Sequence, residues 1–260
     1  MKATIIIQNK NYAHFLRKTI LSCIIQDFPK EQYEIIGYDA NSTDGDDGSN
    51  LSWKVYEEFK DRIKIVQVGD KWQPAALNEV IKNHASGKYI SIINSDDWLL
   101  PHFIKIHSAA LDEAPDNVVM AYSNAYQEFE DGARKVYEPK DNDKKIIPKA
   151  EIFNRNFVFQ PSVMIRRSAL DKIGLFDERL KHAWDYQAWR ELAKIGSWVY
   201  IDSVTTVYRV HRQMGSILER EGIIQDLIKI APRKDRKEFI KRNLNLTDKE
   251  VERFLKEGYK

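Results

Sequence analysis

Short apolar runs alternate with amphipathic stretches of helical period through residues 1–125. The apolar runs predict buried strands at Ala3–Ile7, Glu34–Tyr38, Ile63–Val68, Tyr89–Ile93 and Val118–Tyr122. The stretches between them predict helices at His14–Gln26, Leu51–Lys60, Ala75–His84 and His102–Glu113. Apolar strands separated by helices indicate an α/β fold with a Rossmann-like, doubly wound, mostly parallel sheet.

The pattern changes after this region. The charged segment Tyr126–Pro148 contains the turn signal Asp131-Gly132 and predicts a hairpin or a long loop. Later strands are predicted at Val163–Ile165, Trp198–Ile201 and Thr205–Tyr208, and helices from Ser168 and over Trp184–Lys194. Residues from about Ile217 onward are polar and helical in period. We therefore predict a domain over residues 1–216, with halves 1–125 and 126–216, and a helical C-terminal extension over 217–260.

The composition narrows the class of protein. A chain of 260 residues with 43% hydrophobic and 31% charged residues is typical of a globular domain, and the net charge of +2 gives no reason to expect a nucleic-acid partner. No apolar run approaches the roughly 18 residues of a membrane span, and the N-terminal run is too short for a signal peptide. We predict a cytoplasmic protein. The single cysteine, Cys23, lies in a helical apolar pattern and predicts a buried structural thiol.

Polar loops follow four of the predicted strands. They are Gln8–Asn11, Asp39–Gly45, Asp70–Gln73 and Asn94–Asp97. The carboxyl ends of parallel strands meet at one edge of a sheet, where ligands of doubly wound folds bind. Four such loops at one edge favour a ligand site over a set of ordinary turns.

Asp96 and Asp97 stand directly after the apolar run that ends at Ile93. Adjacent carboxylates at the end of a buried strand repel each other, and a fold avoids that cost unless a cation or a polyol compensates it. Such a pair suits Mg²⁺ or Mn²⁺ bound together with a phosphate-bearing ligand. The alternative is that both aspartates cap a helix opening at Pro101.

Nine motifs follow one another along the chain. They are Gln8–Asn11, Asp39–Gly45, Trp72–Asn78, Ala85–Ile90, Asn94–Asp97, Gln160–Ser162, Gly174–Glu178, Trp184–Trp189 and Tyr208–His211. Their order and spacing resemble the family-2 glycosyltransferases, which have the GT-A fold. The resemblance runs from about Ala3 to about Ser216. The resemblance implies an inverting, metal-dependent enzyme of polysaccharide or glycolipid assembly. Its donor would be a nucleotide-diphosphate sugar, a UDP- or GDP-sugar, and its acceptor a saccharide or lipid-linked saccharide.

The resemblance also implies roles for individual residues on the donor side. Residues 1–125 would form the nucleotide-sugar-binding half, in which Asp39 accepts hydrogen bonds from the base and Asp96 lies near the ribose. The other donor-binding residues would be Gln8, Asn9, Asn11, Asn41, Gln73, Asn78 and Arg209. Asp97 and His211 would hold Mn²⁺ or Mg²⁺, which neutralises the leaving diphosphate.

Residues 126–216 would form the acceptor-binding half. Asp185 matches the general base of the family, which removes the proton of the acceptor hydroxyl during a one-step, inverting displacement. Asp177 and Glu178 are alternative acids, and Asp185 could also be a carboxylate placed at a helix N-terminus. Trp184 would offer the acceptor a flat stacking face, whereas Trp189 is predicted to lie in the core.

Several residues depart from the family pattern. Gln8-Asn9 replaces a common Pro-Thr, Trp72 a common Gly, Ala75 a common Asp and Gln187 a frequent carboxylate. Because of these departures, a nucleotide-sugar-binding protein without catalytic activity is an alternative. A sugar-phosphate nucleotidyltransferase is a further alternative, but the glycine-rich basic loop expected after its first strand is missing here.

The C-terminal extension permits two interpretations. Ile223–Ile230 is amphipathic, and the basic segment Arg233–Lys237 follows it. The helices could pack on the domain, or they could rest on an anionic membrane surface and bring the protein to the inner membrane as a peripheral component. The interspersed acidic residues favour the first interpretation.

Overall fold

A computed structural model of the protein describes residues 1–71, 73–139, 146–147 and 151–256. Within these residues, ten strands form one mixed sheet. The strands are β1 Ala3–Asn9, β2 Tyr33–Asp39, β3 Lys64–Gln67, β4 Tyr89–Asn94, β5 Trp98–Leu99, β6 Val118–Phe129, β7 Arg134–Tyr137, β8 Ile146–Ile147, β9 Val163–Arg166 and β10 Ser197–Val210. Their order is β3-β2-β1-β4-β9-β6-β10-β5, with β7 added to β6 and β8 to β10.

Helices cover both faces of this sheet. In the described part of the chain the α-helices are α1 Ala13–Ile24, α2 Leu51–Glu57, α3 Gln73–Asn83, α4 Phe103–Glu113, α5 Arg167–Lys172, α6 Trp184–Ile195, α7 Gly215–Leu218, α8 Arg220–Ile230, α9 Arg236–Leu244 and α10 Asp248–Lys256. None of the helices in the ranges given above is long and apolar enough to cross a lipid bilayer.

The first half of the sheet is parallel. β1 lies between β2 and β4, and β3 pairs with the outer side of β2, all in parallel register. Every residue of β1 is buried, because helices pack on both of its faces. The predicted Rossmann-like, mostly parallel arrangement is confirmed for this half.

The second half of the sheet contains a strand order that the sequence did not predict. β9 inserts antiparallel between β4 and β6, with Ile165 opposite both Ile90 and Met120. The two strands predicted at Trp198–Ile201 and Thr205–Tyr208 are a single strand, β10. Register shifts against β6 lie between Ile201 and Thr206, so the polar residues there are accommodated as an irregularity rather than a break.

A hairpin joins β6 and β7, as predicted. Its turn carries Gly132 at a φ of 81°, a conformation that glycine adopts without steric cost. The remainder of the predicted segment, at residues 140–145 and 148, lies outside the described residues.

The core occupies both faces of the sheet. On one face Cys23 is buried among residues of α1, α4 and β1, and burial raises the pKa of its thiol to about 12, as expected for a structural cysteine. On the other face Trp189 is buried together with residues of α3 and α6. The extension contributes Leu227 and Ile240 to that same cluster, so its helices pack on the domain.

Candidate active site

A cavity of about 460 Å³ opens at the carboxyl ends of β1 and β4. Five residues predicted as site residues lie in its wall: Gln8, Gln73, Asp96, Trp184 and Asp185. The wall also contains residues without a predicted role, among them Lys10, Tyr12, Asn94, Gln160, Tyr208 and Ser216. Gln160 and Tyr208 belong to the sequence motifs given above, whereas Tyr12 and Ser216 are brought to the cavity by the fold. The cavity therefore joins the two predicted halves.

Asp39 ends β2 and is buried under the first two loops. Its Oδ1 atom accepts hydrogen bonds from Asn9 Nδ2 (2.8 Å) and Ser42 Oγ (2.6 Å). Its Oδ2 atom accepts from the Ser42 N–H (2.9 Å) and from Asn50 Nδ2 (2.6 Å). The carboxylate therefore ties β1, the second loop and the start of α2 together.

Two asparagines shape the neighbouring loops. Asn11 and Asn41 have φ values of 62° and 52°, in the left-handed region that asparagine tolerates better than most residues. Asn11 Oδ1 accepts from the Thr43 N–H (2.7 Å), and Asn41 Nδ2 donates to Asp70 Oδ1 (2.9 Å). Both amides thus link one strand-end loop to the next, outside the cavity wall.

Gln8 and Asn94 form the floor of the cavity between β1 and β4. Gln8 Nε2 donates to Asn94 Oδ1, and Gln8 Oε1 accepts from the Tyr38 hydroxyl at 3.2 Å. The Asn94 Nδ2 atom lies 3.4 Å from Asp97 Oδ2. The floor is therefore a continuous set of hydrogen-bonded side chains.

The two adjacent aspartates point in different directions. Asp96 lies in the cavity wall, and its Oδ2 atom is 3.0 Å from His211 Nε2 at the end of β10. Asp97 is fully buried behind it and accepts the Arg209 N–H on Oδ1 at 2.9 Å. Burial, followed by the charge of Asp96, raises the pKa of Asp97 well above the usual carboxyl range.

The alternative in which these aspartates cap the helix after Pro101 is wrong. α4 begins at Phe103 after His102, and the Ile104 N–H in its first turn donates to Gln26 Oε1 at 3.1 Å and not to either aspartate. The strand β5, at Trp98–Leu99, separates the aspartates from the helix and pairs with β10. The carboxylates therefore belong to the cavity and to the loop that β10 fixes.

Arg209 supports this loop from behind. Its guanidinium lies over the rings of Phe15 (4.2 Å) and Trp98 (4.9 Å), and its Nε donates to the backbone oxygen of Asp96 at 3.0 Å. The side chain is thus engaged outside the cavity wall. Its predicted contact with the donor stays a prediction.

Asp185 lies in the first turn of α6 and faces the same cavity as Asp96. Burial raises its pKa to about 6, although the Tyr186 N–H donates to its Oδ1 atom at 2.6 Å. A carboxylate with a pKa near neutrality can accept a proton and still be largely ionised at pH 7. Both predicted descriptions, a helix N-terminal carboxylate and a candidate base, fit this position.

The alternative acids have other partners. Asp177 binds Arg179 through both carboxylate oxygens, at 2.9 and 2.7 Å. Glu178 accepts from Asn78 Nδ2 at 2.9 Å, and the Asn78 amide also pairs with the backbone of Phe176 at 2.8 and 3.0 Å. Through these hydrogen bonds Asn78 connects α3 to the segment before α6. The side chains of Asp177, Glu178 and Asn78 lie outside the cavity wall.

Aromatic rings form the wall beside Asp185. Trp184 is 4% exposed and packs edge-on against Phe176 at a centroid distance of 5.0 Å. Tyr208 stacks on Phe159 at 4.9 Å with an interplanar angle of 9°. Flat apolar surfaces beside a candidate base suit a sugar ring.

The donor set at Asp96 fits a divalent ion that is shared with a ligand. Asp96 and His211 offer one oxygen and one nitrogen within reach of a common ion, and Asp97 is buried behind them. Across the described part of the chain, no three Asp, Glu, His or Cys residues converge to hold a metal by themselves. Mg²⁺ and Mn²⁺ sites that involve a diphosphate take their remaining ligands from phosphate and water.

Comparison with known proteins identifies the family. The model of glycosyl transferase family 2 matches residues 4–174. The chain belongs to glycosyl transferase family 2. The predicted resemblance is therefore confirmed, and the sugar-phosphate nucleotidyltransferase alternative is set aside.

Individual glycosyltransferases share sequence and fold with this family member. An uncharacterised glycosyltransferase of Rickettsia prowazekii is 27% identical over 212 residues, which cover 80% of this chain and 64% of the relative. The poly(ribitol-phosphate) beta-N-acetylglucosaminyltransferase TarS of Staphylococcus aureus is 25% identical over 191 residues, 71% of this chain and 31% of TarS. This chain therefore spans less than two thirds of the length of these relatives.

Solved structures confirm the GT-A fold. TarS residues 1–349 in complex with UDP-GlcNAc superpose with a TM-score of 0.70 at 16% identity, covering 99% of this chain and 71% of that chain. The mannosyltransferase PcManGT from Pyrobaculum calidifontis, in complex with GDP-Man and Mn²⁺, has a TM-score of 0.64 at 18% identity, with coverages of 98% and 73%. At these identities the likeness concerns the fold alone.

Proposed function

We propose that this glycosyltransferase transfers a sugar from a nucleotide-diphosphate sugar to an acceptor hydroxyl with inversion, assisted by a divalent metal. One observation carries the proposal: Asp96 and Asp185 line the same cavity, one beside His211 and the other with a pKa raised to about 6. A single displacement requires a base for the acceptor hydroxyl and a metal ion for the leaving diphosphate. Asp185 on α6 and Asp96 after β4 would provide these two functions in one cavity.

The donor is a UDP- or GDP-sugar. Two glycosyltransferases that share the fold support this assignment, since one was solved with UDP-GlcNAc and the other with GDP-Man and Mn²⁺. The acceptor is a saccharide or a lipid-linked saccharide of polysaccharide or glycolipid assembly. A cytoplasmic location and a contact with the inner membrane surface stay predictions.

Asp96 and His211 would hold the metal ion. The family resemblance assigns it to Asp97 and His211, but Asp97 is buried and accepts a backbone hydrogen bond, whereas Asp96 lies in the cavity wall. When bound, Mn²⁺ or Mg²⁺ neutralises the charge that develops on the leaving diphosphate. Asp97 holds the loop to β10 by accepting the Arg209 N–H.

Asp185 acts as the base in this proposal. Its carboxylate accepts the proton of the acceptor hydroxyl while the hydroxyl oxygen bonds to the anomeric carbon and the bond from that carbon to the diphosphate breaks. Trp184 and Tyr208 provide apolar surface that orients the acceptor and excludes water from the reacting atoms.

A thermal-shift panel tests the donor site first. The protein is heated with UDP, GDP, UDP-GlcNAc or GDP-mannose, each with Mn²⁺ and with EDTA. A ligand that binds only the folded state raises the melting temperature by mass action, so one nucleotide class should stabilise the protein, and more strongly with Mn²⁺. The absence of a shift with all four ligands would overturn the donor assignment.

A binding protein without catalysis remains the second candidate, because Gln187 stands where the family often has a carboxylate. The discriminating measurement is the release of UDP or GDP from the stabilising nucleotide sugar in the presence of a panel of saccharide acceptors, whose hydroxyl groups take the sugar. Turnover by the wild-type protein that is lost in Asp185→Asn supports the enzyme. Binding without any turnover supports the second candidate.

A further inference from the structure

A carboxylate from the C-terminal extension reaches the start of the helix that carries Asp185. Asp226, on α8, is 2% exposed. Its Oδ2 atom accepts the N–H of His182 at 2.7 Å and the N–H of Ala183 at 3.3 Å. These two residues come directly before α6, which begins at Trp184.

The start of α6 needs such an acceptor. The first N–H groups of a helix have no partner within the helix, and a polar side chain at the preceding position normally satisfies one of them. Here that position is Ala183, which has no side-chain acceptor. Asp226, on another helix, accepts the N–H of Ala183 at this position and the N–H of His182 before it, and its negative charge interacts favourably with the positive end of the α6 dipole.

A second contact on the same face of α8 holds the segment in place. Gly222 and Asp226 are four residues apart and therefore lie on one side of the helix. The His182 imidazole packs so closely on Gly222 that a Cβ atom there would meet His182 Nε2 at 2.3 Å. Ile223, the next residue, lies in the cavity wall with Trp184 and Asp185.

α8 is itself fastened to α6. Asp226 Oδ1 accepts from Lys229 Nζ at 2.8 Å, which satisfies the second carboxylate oxygen. Arg190 of α6 donates to the backbone oxygen of Ile230, the last residue of α8, at 2.6 Å. Tyr186 stacks on Phe239 of α9 at 5.8 Å and 8°. The carboxylate is therefore held by a packed unit and not by a loose tail.

We propose that Asp226 is a positioning residue, which fixes residues 182–183 and thereby sets the place of Asp185 and Trp184 in the cavity. The proposal rests on the proposed function, in which Asp185 is the base. It gives the C-terminal extension a part in the chemistry, because a residue beyond the domain predicted at 1–216 completes the site.

Three variants test the proposal. Asp226→Ala removes both acceptors, and Asp226→Asn keeps one oxygen of the same shape for the two N–H groups. Glu221→Ala is the matched control, because it removes an exposed carboxylate from the same helix. Each variant is compared with the wild type by hydrogen exchange of the peptide around residues 181–187 and by melting temperature. It is also compared by kcat and donor KM for nucleotide release from UDP-GlcNAc or GDP-mannose with Mn²⁺ and a saccharide acceptor.

We expect faster exchange of residues 181–187 in Asp226→Ala, with unchanged exchange of residues 89–97. We expect kcat to fall by about 100-fold, because small misplacements of reacting groups cost rates of that order, with the KM for the donor unchanged. Asp226→Asn should recover most of the rate, and Glu221→Ala should match the wild type.

Two results would overturn the proposal. One is wild-type exchange or wild-type kcat in Asp226→Ala. The other is a variant Asp226→Ala in which kcat falls, the donor KM rises and exchange becomes faster over the whole chain, because a residue that only stabilises the fold would give this pattern. If Asp226→Ala does not fold, Asp226→Asn decides: its single, weaker acceptor should leave a small increase in exchange confined to residues 181–187 together with a small fall in kcat, and wild-type values of both would overturn the proposal. Absence of nucleotide release by the wild type itself would instead contradict the proposed function, and exchange would still report whether Asp226 orders the segment.

Discussion

His211 Nε2 lies 3.0 Å from Asp96 Oδ2, although 115 residues separate the two in the chain. Asp96 follows β4 and His211 follows β10, and the strand β5, which comes two residues after Asp96, pairs with β10. The pairing of β5 with β10 therefore brings a residue of the second half to the sheet edge at which the cavity opens. An imidazole and a carboxylate with this spacing can share one divalent ion.

Asp96→Ala and His211→Ala are each expected to remove the Mn²⁺-dependent part of the stabilisation by UDP or GDP. The reason is that Asp96 lies in the cavity wall and His211 Nε2 is 3.0 Å from its Oδ2 atom, so this pair would hold the ion in the proposed function. Thermal-shift curves with Mn²⁺ and with EDTA provide the measurement. Asp116→Ala is the control, because Asp116 is exposed just before β6, at the opposite edge of the sheet. An unchanged Mn²⁺ response in Asp96→Ala would contradict this assignment.

Asp97→Asn is expected to raise the melting temperature of the nucleotide-free protein at pH 7. Burial and the charge of Asp96 raise the pKa of Asp97, so its ionised form destabilises the fold once the pH exceeds the unfolded value of about 3.9. Asparagine removes this cost and still accepts the Arg209 N–H. A gain of about 1 kcal/mol corresponds to about 2–4 °C in a chain of this size.

The pH dependence provides the check on Asp97. The difference between Asp97→Asn and the wild type should shrink as the pH falls through about 3.9, because Asp97 then becomes protonated in the unfolded state as well as in the folded state. Melting curves between about pH 3 and pH 8 measure it. A variant that melts below the wild type at pH 7 would show that the Asp97 carboxylate stabilises the fold instead.

Asp185→Asn is expected to lower kcat by about 10²- to 10⁴-fold, the usual contribution of a general base, without changing nucleotide binding. In the wild type kcat should rise with pH through about 6, because burial raises the pKa of Asp185 to that value and only the ionised form accepts a proton. Rate measurements from pH 5 to pH 8 test this. Asp177→Asn serves as the control, and near-normal turnover of Asp185→Asn would exclude Asp185 as the base.

Asp44→Ala is expected to destabilise the protein by about 2 kcal/mol, the upper range for a lost helix cap. Its carboxylate accepts the Ala13 N–H at 3.0 Å at the start of α1 and the Leu51 and Ser52 N–H groups at 2.9 and 3.1 Å at the start of α2. Urea unfolding measures the effect. Asp47→Ala removes a more exposed acid from the same loop and should cost much less.

The contribution of Asp44 should depend on pH with a definite sign. Burial acts to raise its pKa, but hydrogen bonds from Ser52 and Ala13 outweigh burial and lower it. The stabilisation is therefore present above the unfolded value of about 3.9 and is lost as the pH falls through the folded pKa. A free-energy difference between Asp44→Ala and wild type that stays constant down to pH 2 would contradict this role.

Much of the first half could be predicted from the sequence because its determinants are local. The apolar runs that became β1, β2 and β4 are continuous in sequence, and the polar loops after them had to meet at one edge once the strands were parallel. The burial of Cys23 and Trp189 followed from helical periodicity in the same way. The motifs were sufficient to recognise the family, as the match over residues 4–174 confirms.

The tertiary structure decided the features that depend on pairing between distant segments. No local pattern of Val163–Arg166 reveals that β9 runs antiparallel between β4 and β6. Asp96 and Asp97 are chemically identical in the sequence, and only the hydrogen bond from the Arg209 N–H and the contact with His211 distinguish the buried carboxylate from the one in the cavity. Likewise, the sequence does not distinguish Asp226 from the other charged residues of the C-terminal extension. Its contact with the segment before α6 becomes visible only in the packed structure. The sequence by itself determined which reactive side chains the chain carries. Long-range packing decided which of them lie in the cavity and which are buried.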